Sequence, residues 1–108
     1  MKVSIGDYAT NPSKRKRLIK VTIDRYDTYS LDHTLALVIS PALKRFKQEA
    51  CSYPPCFESL EYWLLVIDKM IYAMDKVVED QIYLSDDVYI CVQEGCDLFG
   101  KYFQHLWW

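Results

Sequence analysis

The chain has 108 residues, of which 51% are apolar and 15% aromatic, and its formal net charge is −2. This length suits one small domain, and the aromatic content excludes an intrinsically disordered chain. No apolar run reaches the roughly 20 residues that span a bilayer, and residues 1–7 lack the apolar stretch of a secretory signal, so we expect a cytoplasmic protein without a membrane partner.

Positive charge is concentrated at the start of the chain. Residues 1–20 contain six Lys or Arg and one Asp, whereas residues 21–108 carry a net charge of −7. The acidic remainder makes nucleic acid an unexpected partner, although the basic run at residues 14–17 leaves a phosphate contact open. We favour a mobile basic lead-in over residues 1–17, followed by a single helical domain over residues 18–108.

Residues 18–26 alternate between apolar and polar side chains, with Ile19, Val21 and Ile23 on one side. A period of two is typical of a half-buried strand. Because one strand needs a partner, it pairs with the β-like stretch at residues 2–8 as a ribbon, or it forms an extended arm on a helical body.

Three amphipathic stretches follow, each preceded by a serine that can cap a helix. Ser30 precedes a helix over residues 31–49, Ser59 a second helix ending near Val78, and Ser85 a third ending near Leu106. The predicted core-facing stripe of the first helix consists of Leu31, Leu35, Val38, Ile39, Ala42, Leu43 and Phe46. The predicted fold class is therefore mainly α, with three principal helices and a short N-terminal β-strand or ribbon.

Two residue types should perturb these helices. Pro41 lies inside the first helix, where it removes a backbone hydrogen bond, so we expect a kink or a split between Val38 and Pro41. Gly95 and Gly100 interrupt the third helix at a cost of about 1 kcal/mol each against Ala. We expect one or both glycines to let a neighbouring element approach closely.

The four cysteines form two pairs with four intervening residues, Cys51 with Cys56 and Cys91 with Cys96. A helix places two residues five apart about 140° from each other, which suits neither a zinc site nor a shared face. We therefore expect buried or half-buried free thiols, without a disulfide and without a metal site.

No phosphate-binding glycine loop, metal helix, nucleophile elbow or dinucleotide motif is present. Asp32 and His33 could act as general acid and base, but they are better suited to the start of a helix, where Thr28 or Ser30 serves as the cap. We expect neither catalytic residues nor a cofactor, and hence a protein that is not an enzyme.

Aromatic side chains exceed what the core of three helices needs. Clustered Tyr and Trp suit a subunit interface or a pocket that stacks a planar ligand, so we expect a homo-oligomer, with residues 107–108 as an interface anchor. The surplus is drawn from Tyr26, Tyr29, Tyr62, Trp63, Tyr72, Tyr89, Phe99, Tyr102, Phe103, Trp107 and Trp108.

An ordered series of short motifs resembles a family of small tailed-bacteriophage proteins. The series runs from Asp-Arg-Tyr-Asp-Thr-Tyr-Ser-Leu-Asp-His-Thr-Leu-Ala at residues 24–36, through residues 41–44 and 63–71, to residues 93–107, which include Leu-Phe-Gly-Lys-Tyr-Phe. Tyr26 and Tyr29 depart from it, since Trp is usual there, and the segment between the first two helices is shorter. The resemblance implies a phage origin and location in the host cytoplasm, and brings no activity with it.

The hypothesis we place first is a phage counter-defence protein that captures a small, anionic, nucleotide-derived immune signal without catalysis. The alternative is a protein-interaction module that blocks a host enzyme or assists phage replication. For capture, the start of the first helix could receive a phosphate while tyrosines stack on the base and lysines neutralise charge. The predicted ligand-binding residues are Asp27, Tyr29, Asp32, His33, Lys69, Lys101 and Tyr102.

Overall fold

The computed structural model describes residues 1–5 and 19–107. They form strands β1 (Lys2–Ile5) and β2 (Ile19–Thr22) and helices α1 (Leu31–Glu49), α2 (Leu60–Val78) and α3 (Asp86–Tyr102), with 3₁₀ helices at Arg25–Thr28 and Phe103–His105. The predicted fold class, mainly α with a short β-ribbon, is confirmed. The chain divides into two compact units, residues 1–34 and residues 35–108. None of the described helices is long and apolar enough to cross a membrane.

The first unit contains an antiparallel ribbon in which Lys2 pairs with Thr22 and Val3 with Val21. Of the two arrangements left open by the sequence, the ribbon is the one observed. The expected half-burial is wrong, because Ile19, Val21 and Ile23 are all exposed. A two-stranded ribbon has no second layer of its own to cover one face. The basic run at residues 14–17 lies outside the described residues.

A hydrogen-bonded turn follows the ribbon. The Asp24 carboxylate accepts from the backbone N–H of Tyr26 at 2.6 Å, and the backbone N–H of Asp24 donates to the Asp27 carboxylate at 2.8 Å. The N-terminal amine of Met1 also lies 2.8 Å from the Asp27 carboxylate. These two donors, the amine first and the Asp24 amide second, hold the pKa of Asp27 below its usual range.

Lowering the pH should therefore loosen this turn only at pH values below the usual pKa range of an Asp carboxyl group. Because the pKa of Asp27 is lower in the folded chain, its stabilising contribution is complete above the unfolded-state pKa and is lost as pH falls through the folded-state pKa. An NMR titration should show the Asp24 amide signal moving with the Asp27 carboxyl, and Asp27→Asn should abolish that movement. A midpoint at or above the usual Asp range would contradict the geometry.

The second unit is organised around α2. Ser59 and Ser85 cap α2 and α3, accepting from the backbone N–H groups of Tyr62 at 3.3 Å and Val88 at 3.2 Å, as the sequence predicted. One face of α2 is fully enclosed and forms most of the core, to which α1 and α3 add smaller contributions. The buried hydrophobic side chains that form the core are Ala36, Leu43, Trp63, Ile67, Met70, Ala73, Met74 and Val92.

Helices α2 and α3 approach each other closely at Gly95. A Cβ atom built on Gly95 would overlap the main-chain oxygen of Lys69 and lie 2.5 Å from the Cβ of Ala73. At Gly100 the same position has no neighbour within 4 Å among the described residues outside its own stretch of helix. The prediction of a close approach is confirmed for Gly95, and Gly100 does not serve this purpose.

Helix α1 packs with only part of the predicted stripe, since Ile39, Leu43 and Phe46 face the core as expected. Leu31, Leu35, Val38 and Ala42 are exposed, whereas Ala36, Ser40 and Leu43 are buried. The Ser40 hydroxyl donates to the Asp75 carboxylate on α2, which also accepts from Lys44 at 3.1 Å. Ala36, Leu43 and a charge-assisted hydrogen bond from Ser40 thus contribute to this contact, and about half of the expected apolar stripe is left outside.

Helix α1 continues through Pro41 without a break, so a split of the helix at this position is wrong. Proline supplies no N–H to the carbonyl of Leu37, four residues earlier. Pro41 and Leu37 are both exposed, which lets water hydrate that carbonyl in place of the missing donor.

All four cysteines are free thiols. Cys51, Cys56 and Cys91 are exposed, so the expected burial is wrong for these three, which lie in the α1–α2 connection and on the outer side of α3. Only Cys96 is half-buried. Burial, followed by the nearby Asp97 charge, raises the pKa of the Cys96 thiol, which lowers its reactivity relative to an exposed thiol.

Candidate functional site

Helix α2 is apolar on its outer side as well as its inner side. Tyr62 is 58% exposed, Leu65 is 57% exposed and Tyr72 is also exposed. These residues follow helical spacing, so they form one stripe along the helix. A second apolar stripe on a helix that already fills the core is suited to contact with another molecule.

Helix α3 extends this stripe into a wider surface. An open groove of about 510 Å³ runs between the two helices and is lined by Tyr62, Leu65, Val66, Asp68, Lys69, Tyr72, Cys91 and Glu94. Ile90, which is 61% exposed, lies in an adjoining groove of about 410 Å³ that shares Glu94 with the first. We define the α2/α3 face as the apolar residues Tyr62, Leu65, Tyr72, Ile90 and Cys91. The charged residues Asp68, Lys69 and Glu94 lie among them and belong to the same face.

The larger groove is lined by two carboxylates and one ammonium group, and both carboxylates are paired. Asp68 forms an ion pair with Lys47 at 2.7 Å, and Glu94 accepts from the ammonium group of Lys69 at 2.7 Å. Lys69 is therefore already neutralised by a partner on the facing helix. Residues 60–102, which contain α2 and α3, carry nine Asp or Glu and three Lys in all. The surface therefore attracts cations more than anions.

Four of the predicted ligand-binding residues lie in the first compact unit. The Asp27 carboxylate already holds two donors, and its backbone carbonyl accepts from the Thr34 hydroxyl at 2.8 Å. Tyr29 and Asp32 are exposed, and His33 is half-buried in the first turn of α1. These four residues sit within seven positions of one turn and helix start, so the structure brings them together locally.

The other three predicted residues lie in the second unit and point to different surroundings. Lys69 belongs to the larger groove, whereas Lys101 lines the smaller one and places its ammonium 5.2 Å from the Tyr102 ring centre. Tyr102 itself is half-buried against Trp63 and Phe57. Its ring therefore contributes to the core as well as to the Lys101 contact, and the predicted site as a whole stays a prediction.

Sequence reasoning missed the residues that form the α2/α3 face. Tyr62, Leu65, Cys91 and Glu94 were absent from the predicted site, although Tyr62 and Tyr72 were counted among the surplus aromatics. The available signal was the composition of α2, whose apolar residues occupy most of the helix circumference. One side of such a helix fills the core, and the apolar residues on the other side are left for contact with another molecule.

Within the part of the chain that the structure describes, no three His, Cys, Asp or Glu side chains converge as a metal site would require. The sequence matches no family model, and neither a curated protein nor a solved structure matches it.

Proposed function

We propose that this protein is a binding module that acts through protein–protein contact, and that its partner presents an apolar segment bordered by Lys or Arg to the α2/α3 face. The observation that carries this proposal is the outer apolar stripe of α2, continued by Ile90 and Cys91 on α3. Exposed apolar surfaces bordered by charged residues are typical of protein interaction sites.

Charge determines the kind of partner. A second copy of this acidic face would bring like charges together, and repulsion of this kind across an interface is costly. A partner with basic residues around an apolar centre would instead be attracted by the net negative charge of α2 and α3, and would compete with Lys47 and Lys69 for Asp68 and Glu94. An amphipathic helix laid along the α2/α3 groove meets both requirements. In line with the phage resemblance, we propose that the partner is a host enzyme that is blocked or a component of phage replication.

Capture of a nucleotide-derived signal is the second candidate. The volume of the larger groove is in the range of small-molecule sites, and Tyr62 and Tyr72 offer rings for stacking. An anionic ligand would have to compete with Glu94 for Lys69 and with Asp68 for Lys47. The net negative charge of residues 60–102 is the reason why we place protein contact first.

The test is selection from a display library of amphipathic helical peptides with randomised flanking residues. We expect the selected peptides to be enriched in Lys and Arg and to protect the Cys91 thiol from alkylation. Leu65→Glu should weaken their binding at least about tenfold, since central interface residues carry most of the affinity. Leu35→Glu, a matched exposed leucine on α1, should leave binding unchanged.

Glu94→Gln separates the two candidates, because it removes one carboxylate and leaves Lys69 without its partner. The variant should bind the selected basic peptides more weakly, whereas capture of an anion predicts tighter binding of cyclic di- and trinucleotides or ADP-ribose derivatives. Two results together would replace the protein-contact proposal by capture. Isothermal titration would show that a nucleotide binds with a dissociation constant below about 10 μM, and the selected peptides would lack basic flanking residues.

A further inference from the structure

A second apolar surface lies between α1 and the end of α3. It is a groove of about 290 Å³ whose lining residues are all apolar: Val38, Ile39, Ala42, Leu43, Phe46, Phe99 and Leu106. The groove exists because α1 meets the other helices through Ala36, Ser40 and Leu43, which leaves the larger Leu35 and Val38 on its outer side. This surface shares no residue with the α2/α3 face.

An exposed aromatic ring lies beside this groove. Phe103 is 60% exposed, and its ring packs edge-on against the groove residue Phe99 with centroids 5.6 Å apart. Leu35 is 48% exposed and lies one helical turn before Val38 on the same side of α1. We call Leu35, Val38, Ala42, Phe99, Phe103 and Leu106 the α1/α3 face.

A protruding ring next to a groove is self-complementary. In a two-fold symmetric pair each copy uses the same patch, so a ring beside the groove of one copy can enter the groove of the other while the reverse contact forms as well. Burying an exposed aromatic ring in an apolar groove removes a large apolar area from water. The α1/α3 face contains both parts that such an exchange needs.

Electrostatics permit a second copy here, in contrast to the α2/α3 face. Among the described residues, no charged side chain lines the α1/α3 groove. The charges that follow Ala42 along the same side of α1 are Arg45 and Glu49, which pair with each other at 2.8 Å. The groove itself therefore brings no like charges together, and Arg45 with Glu49 forms a neutralised polar rim of the kind found around protein interfaces.

We infer that this protein forms a two-fold symmetric dimer through the α1/α3 face, with Phe103 of each copy seated in the groove of the other. The dimer leaves the α2/α3 face of each copy available to the proposed partner. This inference does not depend on the proposed function, because the two faces use different residues and can be tested separately.

The test is analytical ultracentrifugation of the full chain over a concentration series up to about 100 μM, a range that detects association of moderate affinity. We expect a reversible dimer in the unmodified chain. Phe103→Glu and Leu35→Glu should each raise the dimer dissociation constant at least about tenfold, because each places two like charges in the symmetric interface. Circular dichroism should show unchanged helix content, since both positions are exposed.

The matched control is Leu65→Glu, an equally exposed leucine on α2, which should leave the dimer intact while it weakens peptide binding. A chain that stays monomeric over the whole series would overturn the dimer. The proposed interface would also be overturned if the dimer persisted in Phe103→Glu and Leu35→Glu but dissociated in Leu65→Glu. That result would place self-association on the α2/α3 face.

Discussion

Replacing Gly95 with Ala should lower the free energy of unfolding by about 1–3 kcal/mol, although Ala is the better helix former. The added methyl group would overlap the main-chain oxygen of Lys69 and crowd the Cβ of Ala73. Neither atom belongs to a flexible side-chain end that could move aside. Helices α2 and α3 would have to separate, which weakens the packing around Val92 and the enclosed face of α2.

Gly100 provides the matched control in the same helix. A Cβ atom there meets no other part of the described structure within 4 Å, so Gly100→Ala should stabilise the protein by up to about 1 kcal/mol through helix propensity alone. Urea unfolding followed by circular dichroism compares the two variants directly. The close approach of α2 and α3 would be refuted if both substitutions raised the stability of the chain by similar amounts.

Truncating Trp63 should have the largest effect of any substitution in the helical unit, about 3–5 kcal/mol for Trp63→Ala. Its side chain is completely buried, and its ring packs against Phe57 at 5.2 Å, Tyr102 at 5.8 Å and Phe46 at 6.5 Å between centroids. The substitution removes the ring around which the other three are arranged. A loss of this size is a large part of the stability of a small domain.

Trp63→Phe should cost clearly less than Trp63→Ala. The indole N–H of Trp63 has no hydrogen-bond acceptor among the described residues, and a buried donor without a partner costs about 1–3 kcal/mol. Phe keeps most of the ring contacts and removes that donor. Tyr62→Ala, one position earlier and exposed, should change the stability by no more than about 0.5 kcal/mol. Equal denaturation midpoints for Trp63→Ala and Tyr62→Ala would disprove the assigned core.

The sequence alone determined the fold class and most element boundaries. Period-two and helical patterns are local properties, and a capping serine acts within three residues of its position, so Ser59 and Ser85 marked the starts of α2 and α3 correctly. The third helix was predicted to continue to Leu106 but ends at Tyr102, where a 3₁₀ turn follows. Helix ends respond to weak local preferences and are less well specified than helix centres.

Which side of each helix faces the core was decided by tertiary structure. The pattern of α1 offers two overlapping stripes, one through Leu35 and Val38 and one through Ala36 and Ser40. The second stripe is buried, and within it Ser40 donates to Asp75 on α2, a residue 35 positions away that no local pattern could identify. The exposed Leu35 and Val38 form part of the α1/α3 face.

The candidate binding surface also depended on the tertiary arrangement. The surplus of aromatic residues was evident in the composition, but burial of Trp63 and exposure of Tyr62 follow from the packing of α2 against its neighbours. Likewise the sequence showed two glycines in one helix, and only the position of α2 gave Gly95 a contact and left Gly100 without one. Local patterns specify the helices, whereas the free energy of bringing them together selects which side chains are buried and which remain available for binding.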